Sequence, residues 1–184
     1  MFPTVLECVY LYILLTTNMQ KATHSEESIL EILRSVRDPE IPVISIVDLG
    51  VVKNIKISPE GAVSVDLVPT FAGCPAINMM ADDIKKQCNE AGIDDVTVNV
   101  RTNTSWTSDQ ISDEGRVKLK KFGLSPPPKL KGKELEDFDT LKEAECPKCN
   151  STNTVLRSVF GPTACRAIHF CKNCHETFEQ MKPL

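Results

Sequence analysis

The sequence has few of the features that identify nucleic-acid-binding proteins. Aromatic residues make up 5% of its 184 residues, and 21 Lys and Arg are outnumbered by 25 Asp and Glu. Sequence-independent binding of nucleic acid needs a basic surface interleaved with aromatic side chains on which bases stack. The tail, residues 146–184, has five Lys and Arg against two Asp and Glu, an excess too small for that role. We therefore expect no nucleic-acid partner.

A run of apolar residues long enough to cross a bilayer is also missing. The apolar stretch 2–15 is interrupted by Glu7 and has no Lys or Arg before Lys21, so it differs from a signal peptide. It is also shorter than a membrane-spanning helix. We expect residues 1–18 to be an extension ahead of a natural start at Met19, and we expect no membrane association. A short interfacial anchor is the alternative.

Cysteine is plentiful, and its spacing indicates a metal site. Five of the eight cysteines lie in residues 146–184, and four of them form two CxxC pairs separated by 21 residues: Cys146, Cys149, Cys171 and Cys174. Four thiolates at this spacing are typical of a structural zinc ion in a reducing compartment, which predicts a cytoplasmic protein. An iron centre in the same cage is the alternative. Strand-like segments at 152–160 and 167–170 predict a zinc ribbon over 146–184, to whose folding the ion would contribute about 10 kcal/mol or more.

A second cysteine motif, Gly73-Cys74-Pro75, lies where a predicted strand meets a long amphipathic helix. Proline is favoured at the first helical position, so Cys74 is predicted to be the N-cap. The positive end of the helix would favour the thiolate there, which suits a nucleophile or metal ligand. The alternative is a buried structural cysteine. No His or acidic motif is placed to activate Cys74, so a thiol enzyme is disfavoured.

The remaining pattern predicts a small two-layer α+β domain over residues 19–123, with the element order helix, hairpin, helix, strand. A capping box beginning at Thr23 starts a helix that runs to about Arg37. Three prolines and a dense mixture of charges then mark residues 124–145 as a linker. The other predicted elements are strands 51–57 and 63–67, a helix from Pro75 to about Gly92, a strand 96–100 and a short helix 112–122.

Several side chains carry narrower predictions. Cys88 repeats with the apolar stripe of its helix and is expected in the core, and Trp106 is expected to close a sheet edge rather than to anchor a partner. Cys165, beside Arg166 in the ribbon turn, is a spare thiol that is either used or half-buried packing. His169 and His175 flank the CxxC pairs and could replace a ligand, but with four cysteines available both are expected either beside the ligands or on the surface.

These motifs together resemble a known family. Asp38-Pro39-Glu40-Ile41-Pro42, Val47-Asp48-Leu49-Gly50-Val51-Val52, and Thr70 with Gly73-Cys74-Pro75 resemble the domain of iron-sulfur assembly factors of the SufT and cytosolic-assembly type. With the ribbon and its Phe160-Gly161-x-Thr163-Ala164-Cys165-Arg166 turn, residues 25–184 resemble the PaaD family of phenylacetate degradation, also called phenylacetyl-CoA oxygenase subunits.

The resemblance implies an accessory protein rather than a catalyst. PaaD-like proteins belong with the di-iron monooxygenase that epoxidises phenylacetyl-CoA, and the expected role is maturation of its metal centres, with the iron-sulfur reductase as client. Cys74 would then carry a transient iron-sulfur cluster or iron, with Asp48 and Thr70 lining its pocket and hydrogen-bonding the thiolate. One cysteine cannot hold a cluster, so a homodimer, Cys165 or a small thiol would complete the ligation. A stoichiometric subunit of the oxygenase is the alternative.

Overall fold

The fold is α+β, as the sequence predicts. The computed structural model describes residues 24–71, 73–131, 141–142 and 144–184. The predicted extension 1–18, the predicted cap Thr23 and residues 132–140 and 143 of the predicted linker lie outside these residues. The described elements are α1 (Glu26–Leu33), β1 (Val52–Ile57), β2 (Val63–Leu67), α2 (Ala76–Glu90), β3 (Val96–Val100), a 3-10 helix (Ser108–Gln110), α3 (Asp113–Phe122), β4 (Leu124–Ser125), β5 (Thr154–Ser158), β6 (Arg166–Cys171) and β7 (Thr177–Met181).

A three-stranded sheet in the order β1-β2-β3 forms one layer of the first domain. The predicted hairpin is present as the antiparallel pair β1 and β2, joined by a turn in which the Gly61 N–H donates to the Ser58 carbonyl at 2.8 Å. Strand β3 lies parallel to β2, because α2 carries the chain back across the sheet between them. The buried side chains of α2, among them Ile77, Met80, Ile84 and Cys88, pack against the sheet, which confirms the prediction for Cys88.

The first helix differs from the prediction at both ends. Ser25 is its N-cap and forms a reciprocal capping box with Ser28, so the box starts two residues after Thr23. The helix ends at Leu33 rather than near Arg37. The chain turns early because the Val36 carbonyl accepts a hydrogen bond from the Ile46 N–H at 3.1 Å and Arg37 pairs with Ser45. Tertiary pairing with the following loop therefore outweighs helical propensity here.

The ribbon forms a second sheet, in the order β4-β7-β6-β5. Strand β7 follows the second CxxC pair and was not expected from the sequence, because its Thr-Phe-Glu-Gln-Met run alternates only weakly. Strand β4 lies at the start of the predicted linker and pairs in parallel with β7. The first two residues of that segment are therefore part of the ribbon sheet.

The ribbon packs directly on the first domain. Met181 at the end of β7 is 1% exposed and belongs to the main hydrophobic core, against which Leu184 also packs. The Leu184 carbonyl accepts a hydrogen bond from the Ser108 N–H at 2.9 Å. By contrast, the ribbon's own core has only four buried residues among those described, two of them cysteines: Ala144, Cys146, Cys171 and Phe178. So small a core cannot stabilise the ribbon unaided.

Candidate functional site

The four CxxC cysteines converge at one end of the ribbon. One sulfur atom from each lies within 4.8 Å of the other three. The Sγ atoms of Cys146 and Cys174 are 3.7 Å apart, and those of Cys149 and Cys171 are 3.6 Å apart. A tetrahedral ion with Zn–S bonds of about 2.3 Å requires sulfur atoms about 3.8 Å apart. The thiols thus have the number, type and spacing that a tetrahedral metal ion needs.

The backbone of each CxxC turn supports this arrangement. Asn150 and His175, which directly follow the two pairs, adopt left-handed conformations with φ of 61° and 62°. The Asn173 side chain donates to Cys149 Sγ at 3.7 Å. A hydrogen bond from the Ser151 N–H lowers the pKa of Cys149 to about 6. At Cys174 a hydrogen bond from the Glu176 N–H also lowers the pKa, but burial and the neighbouring thiols outweigh it and raise the pKa to about 12. Four thiolates this close together require a cation.

The two histidines near the ribbon lie outside the four-cysteine cluster. His169 is fully buried and stacks on Phe178, with ring centroids 5.6 Å apart. Burial lowers the pKa of His169, with the Gln180 side chain opposing the shift, so the ring is neutral at pH 7. His175 is exposed and tilts against Phe170. Both side chains pack against aromatic rings of the ribbon.

Cys74 lies immediately before the first turn of α2. The helix starts at Ala76 with Pro75 as the N-cap, one residue later than predicted, although Pro75 already has helical dihedrals, φ −69° and ψ −26°. Cys74 is 7% exposed, so the thiol is buried, as in the alternative that the sequence left open. Burial raises the pKa of Cys74, the Ala76 N–H opposes this, and the charges of Asp38, Glu40 and Cys165 raise it further. Desolvation therefore outweighs the helix dipole, and the resting group is a thiol.

The surroundings of Cys74 come from both sheets. Cys165 in the ribbon turn is 6% exposed, and the Thr163 hydroxyl oxygen lies 3.1 Å from its Sγ atom. Burial raises the pKa of Cys165 as well, and Glu40 and Asp38 are again among the causes. The same acidic loop thus acts on both thiols. Cys165 is thus buried, and the choice between its two alternatives, a used thiol or packing, stays a prediction.

Asp48 is not a hydrogen-bond partner of Cys74 in the described part of the chain. Its carboxylate accepts hydrogen bonds from Lys118 Nζ at 2.8 Å and from the Ser112 hydroxyl at 3.2 Å, and Arg34 Nη1 lies 3.5 Å away. Asp48 therefore connects α1 and the start of α3 to the 45–50 loop. Thr70 is half-buried in the loop that leads to Cys74, and its predicted role in the pocket stays a prediction.

The buried Asp48 carboxylate makes stability depend on pH. Burial raises the pKa of Asp48, but the hydrogen bonds from Lys118, Ser45 and Ser112 outweigh burial and leave the pKa below its usual value. A lowered folded-state pKa stabilises the fold above the unfolded pKa of about 3.9, and this stabilisation is lost as pH falls further. We expect Asp48→Asn to lower the free energy of unfolding at pH 7 by about 1–2 kcal/mol and to flatten its decline below about pH 4. Urea unfolding from pH 3 to pH 7 measures both effects.

The matched control for Asp48 is Asp83→Asn, an exposed aspartate on α2. It is expected to change the free energy of unfolding little at any of these pH values, because surface substitutions of this kind have small effects. If the free energy of unfolding fell equally with pH in wild type and in Asp48→Asn, the pH dependence would not come from Asp48.

Two residues make contacts that sequence reasoning did not predict. The Asp38 carboxylate accepts from the Glu40 N–H at 2.7 Å and the Ile41 N–H at 3.0 Å, and the residue is 7% exposed. Arg166 donates to the Glu40 carbonyl at 2.6 Å and to Glu179 at 2.8 Å, which links the ribbon to that loop. The Asp38 turn can be predicted from sequence, because an Asp side chain readily accepts a hydrogen bond from the backbone N–H two residues later. No local signal predicts the long-range partner of Arg166.

Trp106 is buried in the first domain, and its predicted place at a sheet edge stays a prediction. The indole is 4% exposed, and its Nε1 donates to the Leu49 carbonyl at 3.0 Å, which fixes the Trp106 loop against the 45–50 loop. Within the described ranges, the helices are all too short or too polar to span a bilayer.

Comparison with protein families matches both parts of the chain. The family described as an iron-sulfur cluster assembly protein matches residues 26–100, and the family described as a PaaD zinc beta ribbon domain matches residues 131–182. The second match begins inside the predicted linker 124–145, whose boundaries stay a prediction.

Individual relatives agree with this division. A putative subunit of the 1,2-phenylacetyl-CoA epoxidase of Escherichia coli is 36% identical over 82% of this chain and 88% of its own length. The Fe-S protein maturation auxiliary factor of Porphyromonas gingivalis is 32% identical over 52% of this chain and 90% of its own length. The auxiliary factor SufT of Staphylococcus aureus is 35% identical over 46% of this chain and 96% of its own length. Because the first similarity extends through both the assembly domain and the ribbon, the chain belongs to the PaaD family.

Proposed function

We propose that this protein supports maturation of the metal centres of a multicomponent phenylacetyl-CoA epoxidase, with the iron-sulfur reductase component as its client. The same proposal places this accessory protein in the cytoplasm. It also assigns zinc as the structural ion of the ribbon and Cys74 as the thiol that binds the iron species. The observation that carries it is the position of Cys74. In an assembly-type domain, this thiol lies buried at the start of α2, and the charges of Asp38 and Glu40 help to raise its pKa.

The buried state of Cys74 suits transient binding. A thiol whose pKa is raised keeps its proton until an iron species displaces it, so iron binding competes with protonation. Weak net binding lets the cargo leave when a client offers a better set of ligands. One chain supplies fewer thiols here than a cluster needs, so the remaining ligands come from a client, a small thiol or a second copy of the chain.

Anaerobic reconstitution with ferrous iron and sulfide tests the role of Cys74. We expect the zinc-loaded wild type to develop visible iron-sulfur absorption, and Cys74→Ala to lose it while keeping its zinc, because only the cargo ligand has been removed. Cys88→Ala is the matched control, since this buried cysteine lies within α2 and belongs to the apolar core. Iron content in Cys74→Ala equal to that of wild type would sink the proposal.

A second role is favoured by the name of the Escherichia coli relative, which describes it as a putative subunit of the epoxidase. A stoichiometric subunit co-purifies with the di-iron components and is needed by components that already contain their metals. Omitting the protein from such an assay distinguishes the two roles. Full activity without it excludes the subunit role, whereas lost activity excludes a role confined to maturation.

A further inference from the structure

A cleft lies between the end of α3 and the ribbon. One wall is formed by Lys120–Leu124, which includes the last turn of the helix, and the other by Glu176–Glu179 at the start of β7. Pro147 and Lys148, which lie between the first two metal-binding cysteines, also line it. The cleft has a volume of about 730 Å³, which is within the usual range of binding pockets.

Strand β7 has an open edge along this cleft. On one side β7 pairs with β6 over its whole length, but on the other side β4 covers only Glu179 and Gln180. Gly123, just before β4, has φ of 95° and donates its N–H to the Lys120 carbonyl at 3.0 Å, so it ends α3 instead of lengthening β4. In the described part of the chain, the half of β7 that begins at Thr177 therefore has no second neighbouring strand.

The backbone of Thr177 faces this open edge. The Cys171 N–H donates to the Glu176 carbonyl at 2.8 Å, and the Lys182 N–H donates to the Cys165 carbonyl at 2.8 Å. The even-numbered residues along β7 thus bond toward β6, and the backbone groups of alternate residues in a strand point to opposite sides. The N–H and carbonyl of Thr177 are therefore directed toward the cleft. An added strand pairs with groups of this kind.

Positive charge predominates among the side chains that line the cleft. Four cations stand against two carboxylates: Lys120, Lys121, Lys148 and Arg166 against Glu176 and Glu179. Both carboxylates are already ion-paired, at 2.6 Å with Lys148 and at 2.8 Å with Arg166. Lys120 is paired with Glu145, whereas Lys121 is exposed and has no ion pair within the described ranges. An incoming segment therefore meets a free positive charge but no free negative charge.

We propose that this cleft is a docking site for an acidic, extended peptide segment of a partner protein, which adds a strand to β7 at Thr177. The peptide backbone pairs with the N–H and carbonyl of Thr177, and its carboxylates contact Lys121 and the neighbouring lysines. Its apolar side chains pack on Phe122, which lines the cleft and is 46% exposed. This docking goes beyond the proposed function and does not depend on iron at Cys74.

Fluorescence anisotropy with short peptides tests the proposal. The probe is a fluorescein-labelled heptapeptide of alternating Glu and Val, added to zinc-loaded protein at low ionic strength. We expect saturable binding, and affinity lower by about tenfold or more when Lys replaces Glu in the peptide, because the charges then repel. Methylating the three central backbone nitrogens should weaken binding by a similar factor, since it removes donors without changing charge. Equal affinities for the three peptides, or no saturable binding of the first, would overturn the proposal.

A substitution on α3 locates the site. Lys121→Glu is expected to lower the affinity for the Glu and Val peptide by about tenfold or more, because it reverses the free charge in the cleft. The matched control is Lys86→Glu, at an exposed lysine on α2, which should bind the peptide as wild type does. Equal loss of affinity in both variants would show that the peptide responds to net charge alone, and would exclude this docking site. Zinc content and the melting temperature verify that each variant is folded.

Discussion

Removing the ribbon's metal is expected to unfold residues 146–181 and to destabilise the first domain with them. The ribbon's own core has four buried residues among those described, so the ion supplies most of its folding free energy, on the order of 10 kcal/mol. The first domain is destabilised as well, because Met181 of the ribbon is buried in the main core and β4 pairs with β7. Loss of one such core side chain costs about 2–5 kcal/mol. Thermal unfolding followed by circular dichroism, with and without a strong zinc chelator, measures the change.

Cys171→Ser provides the same result without a chelator. This buried ligand is 0% exposed, and its loss leaves three thiols for a tetrahedral ion. Cys165→Ser is the matched control, because it removes a ribbon thiol that is outside the four-cysteine cluster. We expect the control to keep its metal and a melting temperature close to that of wild type. An unchanged melting temperature in Cys171→Ser would show that the ribbon folds without metal.

Gly50→Ala is expected to be strongly destabilising, by about 3 kcal/mol or more. Gly50 has φ of +75°, a left-handed conformation that costs a residue with a Cβ about 1 kcal/mol. A Cβ there would also lie 2.4 Å from the Gln110 backbone oxygen, which cannot move without displacing the 3-10 helix. That helix is continuous with the Trp106 loop, so the substitution separates the loops that Trp106 joins. Urea unfolding at pH 7 measures the loss.

Gly92→Ala separates the steric contribution from the conformational one. Gly92 has a similar φ of +84° just after α2, but a Cβ added at this residue would have nothing within 4 Å of it. Its expected cost is about 1 kcal/mol, from the backbone conformation alone. Equal destabilisation by the two substitutions would mean that the close approach of Gln110 contributes nothing.

Local patterns in the sequence are sufficient to predict the main elements. Alternation at Val63, Val65 and Leu67 places β2, and Ser112 caps α3 with its hydroxyl on the Gly115 N–H at 2.9 Å. The four metal-binding cysteines follow from CxxC spacing alone, because a tetrahedral site needs only ligands of the right type at short separation. These features depend on residues close together in the chain.

Features that depend on distant residues could not be predicted in this way. The Gly-Cys-Pro corner correctly places Cys74 at a helix start, and the dipole argument then suggests a thiolate. Burial in the main core outweighs the Ala76 N–H and reverses the expected pKa shift. Asp48 is similar: its motif suggests a polar pocket, but Lys118 and Ser112 determine what the carboxylate contacts.

The contact between Arg166 and Glu40 gives the ribbon a role comparable to that of a bound protein. The auxiliary factors of Porphyromonas gingivalis and Staphylococcus aureus align with about half of this chain over almost their entire length, so their matched regions correspond to the assembly domain alone. In this chain, the ribbon meets that domain as a tethered neighbour whose effective concentration does not fall on dilution. The contact between Arg166 and Glu40 therefore does not weaken when the protein is diluted.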